Sequence, residues 1–186
     1  MKKEFKRKFL VTQDQIKHLF GKKLPYACFQ VLQGYFWDDD RYKEYKIKLF
    51  SRKEYFSAVN ALLTIQEIPR NVFDHHGDDR ERFETSIDPK NACYHLKNTC
   101  TKFLEKIQYL YEWKHDVIFE INIFNERLSI LEIEFSSMEE MDSYEPDFDF
   151  SRDVTNERNF YDYYLAESKS KDEVKEMIKY FEEKMM

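Results

Sequence analysis

The sequence predicts an α+β fold: a closed eight-stranded antiparallel β-barrel with a charged lumen and with helices packed outside. The first observation is residues 4–11, where one face of a strand carries Glu4, Lys6 and Lys8 and the other, largely apolar face carries Phe5, Arg7, Phe9 and Val11. One such strand is common at a solvated sheet surface. The second observation is that the same alternation recurs around residues 47, 83, 121 and 133. The recurrence favours a barrel.

The composition fits one domain that spans residues 1–186. With 35% charged and 42% hydrophobic residues, the chain is too apolar to be disordered and too charged for a membrane span. The opening Met-Lys-Lys leads into charged sequence without an apolar signal region. Cys28, Cys93 and Cys100 have no paired metal spacing, so we expect a reduced, cytoplasmic protein.

The net charge of −6 gives no global attraction for nucleic acid or for an anionic membrane. Any polyanion site must therefore be local and built from clustered lysines. The acidic exterior gives no support to an RNA partner, because RNA-binding proteins usually carry an outer basic patch.

Turn and cap signals divide the chain into its elements. Strands are predicted over 4–11, 28–36, 42–50, 59–67, 80–87, 103–111, 116–124 and 127–135. Thr12 as N-cap and Gly21 as stop predict a helix over 13–20, and Asp88-Pro89 opens a helix over 89–102. A capping-box pattern starts a helix at 136, residues 157–167 are predicted to be helical, and an apolar stripe predicts an amphipathic helix over 171–186.

Residues 68–79 have loop composition, and the adjacent His75 and His76 point apart on an extended chain, which argues against a metal site.

Several short segments carry specific motifs. Residues 33–35 read Gln-Gly-Tyr, 63–66 Leu-Thr-Ile-Gln, 119–124 Phe-Glu-Ile-Asn-Ile-Phe and 131–136 Leu-Glu-Ile-Glu-Phe-Ser, and Asp-Val-Thr at 153–155 precedes Leu-Ala at 165–166. Together with residues 4–11, these segments resemble, in the same order, the ExExK, QGY, LTIK, WEIDVF, EIEL and DVT…LA motifs of the CYTH superfamily, also called triphosphate tunnel metalloenzymes. The resemblance extends from residue 4 to about residue 166.

The resemblance implies an eight-stranded tunnel that binds a triphosphate through basic side chains and a divalent metal through glutamates. It implies a metal set of Glu4, Glu132 and Glu134 for Mg²⁺ or Mn²⁺, one site rather than two, and Glu120 to orient the attacking water. It also implies phosphate-binding residues Lys8, Lys46, Lys48 and Lys106. Lys6 and Arg82 are predicted to join them as further cations of the lumen, beside the lumen residues Glu84, Gln66 and Gln108. A dense basic lining can desolvate a triphosphate, and a carboxylate-bound metal can neutralise phosphate oxygens.

The chain departs from the family pattern at several of these positions. Lys6 replaces the second glutamate of ExExK, which puts a cation where a metal ligand is expected. Further replacements are Gln66 for the LTIK lysine, Arg82 for a glutamate of the fifth strand, Gln108 for a basic residue of the sixth, Asn122 for the acid of WEID and Asn159 for an arginine. Charge therefore persists in the lumen, whereas its layout is rearranged.

Two functions of different class follow. The first is a metal-dependent triphosphatase acting on an inorganic or nucleoside triphosphate, which is favoured because Glu4, Glu132 and Glu134 are retained. The second, motivated by Lys6, is a tunnel that binds or sequesters a nucleotide, cyclic nucleotide or polyphosphate without turnover. RNA 5′-triphosphate handling and adenylate cyclase activity are further family activities, but nothing in the sequence marks an adenine pocket.

Overall fold

A computed structural model describes residues 5–21, 23–38, 43–53, 58–67, 82–112, 117–146, 150 and 152–185. The strands are β1 (Phe5–Leu10), β2 (Ala27–Asp38), β3 (Lys43–Arg52), β4 (Val59–Glu67), β5 (Arg82–Ser86), β6 (Lys102–Glu112), β7 (Ile118–Asn125), β8 (Leu128–Phe135) and β9 (Arg152–Asp153). The helices are α1 (Gln13–Phe20), α2 (Pro89–Asn98), α3 (Met138–Ser143), α4 (Asp162–Leu165) and α5 (Lys171–Lys184), and a 3₁₀ turn covers Arg158–Phe160.

The strands form one antiparallel sheet in the order β5-β4-β3-β2-β6-β7-β8-β1-β9. The α+β class and the antiparallel pairing are confirmed, but the eight-stranded barrel closed by hydrogen bonds is not. In the described part of the chain, β5 and β9 are the two edges of the sheet, with no ladder between them. The physical reason is that Arg152 and Asp153 pair with Leu10 and Phe9, and so occupy the edge of β1 that a closing strand would need.

The sheet is nevertheless strongly curved. Lys48 on β3 and Lys6 on β1 lie five strands apart in the sheet order, which is about 24 Å in a flat sheet. The ammonium of Lys6 nevertheless acts on Lys48. Lys8 on β1 and Lys106 on β6 also reach the adjacent residues Tyr161 and Asp162, at 5.1 Å from the ring centroid and 3.0 Å from the carboxylate, so the face that carries these lysines is curved inwards. The side of the sheet that carries Lys6, Lys8, Lys46, Lys48 and Lys106 is called the concave face below.

The opposite, outer face of the sheet is covered by helices. α2 and α5 pack on β2, β3 and β4 through a buried cluster that includes Leu32, Leu49, Leu96 and Phe181. Gly34 belongs to this packing, because a Cβ there would lie 2.3 Å from Cδ2 of Leu96. The glycine of the Gln-Gly-Tyr motif is therefore required by the close approach of α2.

A second cluster lies under α1 on the strands at the other end of the sheet. Its buried members are Phe9, Val11, Phe20, Tyr111, Phe119, Ile121, Leu131, Ile133 and Phe135, and Met141 of α3 packs against it. The Phe20 ring stacks on Tyr111 with 3.8 Å between centroids. The predicted helix over 13–20 is confirmed, and its N-cap Thr12 forms a capping box with Gln15.

Two helix predictions need correction. The helix predicted over 89–102 ends at Asn98, because Thr99 leaves the helical path and Lys102 begins β6. The helix predicted over 157–167 is divided into the 3₁₀ turn and the four-residue α4, because Tyr161 between them has an extended backbone. The predicted loop over 68–79 lies outside the described residues. None of the described helices is long and apolar enough to cross a membrane.

Candidate functional site

Strand register places the predicted lumen residues on one face. Residues directly opposite each other in an antiparallel pair share a face of the sheet. The pairs are Lys6 with Glu134, Lys8 with Glu132, Glu120 with Glu132, Gln108 with Asn122, Gln33 with Lys48, Lys46 with Thr64, Thr64 with Glu84 and Gln66 with Arg82. The register therefore puts these described residues on one face, as the period-two reading of the sequence predicts, and their roles at a site stay predictions.

Glu132 on β8 is paired with both lysines of β1. Its two carboxylate oxygens lie 3.6 Å from the ammonium groups of Lys6 and Lys8, one oxygen to each. The Glu132 and Lys8 side chains are only 7% and 6% exposed. Glu132, one of the carboxylates predicted to bind metal, therefore compensates two cations in this structure.

Lys106 on β6 is paired with a residue that the sequence analysis did not select. Its buried ammonium donates to Oδ2 of Asp162 on α4 across 3.0 Å. Burial opposes the charge on Lys106, but Asp162, Glu132 and Glu120 outweigh it and raise the pKa of the lysine. Likewise, burial opposes ionisation of Asp162, yet Lys106, Lys8 and Lys46 hold the pKa of that carboxyl far below its usual range. Asp162 stands between the Asp-Val-Thr and Leu-Ala motifs, and that location was the available signal.

Lys48 lies in a part of the site that is short of negative charge. Burial lowers its pKa to about 8, and the neighbouring ammonium groups of Lys106, Lys46 and Lys6 add to the lowering, whereas Glu120 opposes it. Glu120 itself is ionised, with its pKa lowered to about 2, because Lys6, Lys106 and Lys48 overcome the effect of burial.

Two of the residues that depart from the family pattern support Glu120. Asn122 donates from Nδ2 to Oε1 of Glu120 across 2.8 Å, and Gln108 donates from Nε2 to Oδ1 of Asn122 across 3.5 Å. Gln108 and Asn122 are both buried. The two amides thus form a chain of hydrogen bonds that ends on the carboxylate, which accounts for an Asn and a Gln at these positions.

The remaining predicted residues lie farther from this centre or outside the described chain. Glu134 and Glu84 are exposed, and Glu84 accepts a hydrogen bond from Oγ1 of Thr64 across 3.2 Å. Gln66 is half-buried, Arg82 is placed by its backbone pairing alone, and Glu4 is outside the described residues. Within the described ranges, no three His, Cys, Asp or Glu side chains form a group that could hold a metal ion. The metal set therefore stays a prediction.

Aromatic residues border the lysines of the concave face. The ammonium of Lys8 lies 5.1 Å from the centroid of the Tyr161 ring, and that of Lys102 lies 4.4 Å from Tyr163. Tyr163 meets Tyr35 edge-on with 5.6 Å between centroids, and the buried Ala166 packs in the same cluster. Residues 161–166 therefore cross part of the concave face.

Comparison with known proteins rests on structure. No protein-family model and no curated protein matches the sequence. The inorganic triphosphatase NE1496 matches over 89% of this chain and 95% of its own, with 21% identity and a TM-score of 0.56. HpAC1 from Hippeastrum, a candidate adenylyl cyclase with a dominant triphosphatase activity, matches over 75% of this chain and 82% of its own, with 11% identity and a TM-score of 0.58. PH1819 from Pyrococcus horikoshii OT3 matches over the same shares with 13% identity and a TM-score of 0.54.

These likenesses establish the fold. The match to NE1496 covers nearly the whole of both chains, so this chain has the architecture of a protein that is an inorganic triphosphatase. The resemblance to the triphosphate tunnel proteins, predicted from six short motifs, is thereby confirmed at the level of the fold.

Proposed function

We propose that the concave face binds a triphosphate-bearing ligand and hydrolyses it with the help of a divalent metal. The observation that carries the proposal is the clustering of lysines on one face of the sheet. Lys8 and Lys106 are buried there, and the ammonium groups of Lys106, Lys46 and Lys6 act on the half-buried Lys48, an effect that Glu120 opposes. Keeping such a cluster of cations out of water is costly unless an anion joins it. A triphosphate brings several negative charges on oxygens that accept charge-assisted hydrogen bonds.

The fold supports this choice of ligand, since NE1496 and HpAC1 are both described as triphosphatases. In this chain, Lys6, Lys8, Lys46, Lys48 and Lys106 would hold the phosphates, and Arg82 would join them from the edge strand. Lysines act here as point charges, because they lack the bidentate fork of arginine. Glu120, held ionised by its neighbours, would orient the attacking water.

Mg²⁺ or Mn²⁺ is the proposed cofactor at a single site. Glu132 and Glu134 offer carboxylate oxygens, the donors that hard divalent cations prefer, on the face that carries the lysines. Glu4 would complete the set. When bound, the metal would neutralise phosphate oxygens and polarise the reacting group.

The test is phosphate release from tripolyphosphate and from ATP by the purified protein, with Mg²⁺, with Mn²⁺ and with EDTA. We expect release that depends on metal and that Glu134→Ala reduces at least about a hundredfold, with an unchanged melting temperature because Glu134 is exposed. Glu139→Ala, which removes an exposed carboxylate from α3, is the matched control and should keep full activity. Equal turnover by the Glu134 and Glu139 variants would refute the assignment.

A second candidate function is capture of a nucleotide, cyclic nucleotide or polyphosphate without turnover. It is favoured by one observation, the pairing of Lys6 and Lys8 with the two oxygens of Glu132, which supplies cations where metal would otherwise be needed. The same titrations separate the two functions. Affinity that persists in EDTA, without phosphate release under any condition, would establish capture.

A further inference from the structure

Asp162 brings a negative charge into the cluster of lysines that would hold the ligand. Its Oδ2 accepts from Lys106, whose side chain is 3% exposed, and Lys8 and Lys46 act on the same carboxylate. Its other oxygen, Oδ1, is buried and has no hydrogen-bond partner in the part of the chain that the structure describes. One carboxylate from α4 thus pairs with Lys106 of β6, and the lysines Lys8 of β1 and Lys46 of β3 favour its charge.

The element that carries Asp162 is short and is held mainly by its flanks. α4 has four residues, none of them buried. On one flank, the hydroxyl of Tyr161 donates to the carbonyl oxygen of Thr155 across 3.2 Å. On the other, Glu167 exchanges backbone hydrogen bonds with Phe103 at 2.7 and 2.9 Å. Between these anchors Tyr163 and Leu165 pack against Tyr35 and Leu104 and not against the two cores of the outer face, so a shift of the segment would leave those cores closed.

We propose that Asp162 is an internal anion that occupies one phosphate position of the concave face and sets the affinity of the site for a polyanion. This inference rests on the proposed function, since it takes the lysine cluster to be the ligand site. A carboxylate that accepts from a buried ammonium is the nearest side-chain counterpart of a phosphate oxygen. Lys106, Lys8 and Lys46 are also three of the lysines that would bind the triphosphate.

The consequence is that Asp162 makes the site selective for the charge and length of its ligand. A ligand that reaches Lys106 must either displace Asp162 or bring positive charge that compensates it, because two anions within a few ångströms repel each other strongly in a partly buried site. Asp162 therefore disfavours small anions with one or two charges. A longer polyanion, which contacts lysines on several strands at once, gains enough to displace the carboxylate.

The decisive experiment is isothermal titration of tripolyphosphate into the wild-type protein and three variants, in EDTA and again with Mg²⁺, and the variants are compared under each condition in which the wild type binds. Asp162→Asn keeps the size of the side chain and an oxygen for Lys106, and we expect it to tighten binding about tenfold or more. Asp162→Glu keeps the charge and should bind about as weakly as the wild type. Asp172→Asn changes the net charge equally at an exposed site on α5 and controls for the overall charge.

If Asp162 merely orients Lys106 for the ligand, Asp162→Asn will bind more weakly than the wild type. Weaker or unchanged binding would overturn the inference, as would an equal gain in the Asp172 variant. If the wild type binds tripolyphosphate but Asp162→Asn does not bind it more tightly, this inference is refuted and the proposed function is not. Absence of tripolyphosphate binding in every variant, with metal and without it, refutes the proposed function together with the inference.

A second measurement needs no variant and so does not depend on folding of the Asp162 substitution. Backbone amides of Tyr164, Leu165 and Ala166 donate within the segment, to the carbonyl oxygens of Tyr161 and Asp162. Displacement of Asp162 by tripolyphosphate would loosen this turn, so hydrogen exchange of the three amides should become faster in the complex. Slower exchange there would mean that ligand and Asp162 act together, and it would overturn the inference.

Discussion

The two faces of the sheet are built on opposite principles. The outer face buries aliphatic and aromatic side chains under α1, α2 and α5, and its residues pack as in an ordinary core. The concave face buries Lys8, Lys106 and Glu132 instead, and it lowers the pKa of Lys48 to about 8 and that of Glu120 to about 2. The outer face accounts for stability, whereas the concave face carries a cost that a ligand would offset. Substitutions on the two faces should therefore separate stability from binding.

The largest effect on stability is expected on the outer face. Phe181 of α5 is 1% exposed, so Phe181→Ala should lower the free energy of unfolding by about 3–5 kcal/mol through lost burial and the cavity left behind. Urea denaturation measures the loss. Tyr180→Ala, at the exposed neighbouring position on the same helix, is the control and should cost much less. The folded fraction of the Phe181 variant should keep the affinity of the wild type for tripolyphosphate, and a specific loss of affinity would contradict the separation of the two faces.

The converse effect is expected from Lys48→Met on the concave face. Replacing a half-buried cation that lies among other cations should stabilise the protein, by about 1 kcal/mol. The same change should weaken tripolyphosphate binding at least about tenfold, because one phosphate contact is lost. Denaturation and calorimetry on the same sample decide the matter. If Lys48→Met is less stable than the wild type and binds tripolyphosphate with the same affinity, Lys48 has a structural role.

The smallest effect is expected from pH. The pKa of Lys48 is about 8 in the folded protein, whereas its ordinary value, taken for the unfolded chain, is 10.5. Between about pH 8 and pH 10.5 the unfolded chain therefore binds a proton that the folded protein has lost. Stability should accordingly rise as the pH increases from about 8 to 10.5, because the cost of charging Lys48 in the folded state disappears. Tripolyphosphate binding should move in the opposite direction and weaken by up to about tenfold from pH 7 to pH 9, as the ammonium is lost. Both trends should be largely absent in Lys48→Met, and a persistent trend would assign the titration to another group.

Period-two alternation determined which residues share a face, because successive side chains of a strand point to opposite sides whatever the strand pairs with. For that reason Lys6, Lys8, Lys46, Lys48, Lys106, Glu120 and Glu132 were assigned to one surface from the sequence alone. Local cap chemistry likewise determined the starts of α1, α2 and α5, at Thr12, Asp88 and Ser170. These features depend on neighbours a few residues away in the chain.

Only the tertiary structure decided how the faces were completed. The two residues of β9 are too few to show a period, yet they occupy the free edge of β1. In the described part of the chain, the sheet is therefore not closed into a barrel by hydrogen bonds. Asp162 meets Lys106 across 56 positions of sequence, and Lys6 and Lys8 converge on a glutamate of β8. Such pairings, and the pKa values that follow from them, arise from distances that curvature of the whole sheet creates, and no local pattern of residues encodes them.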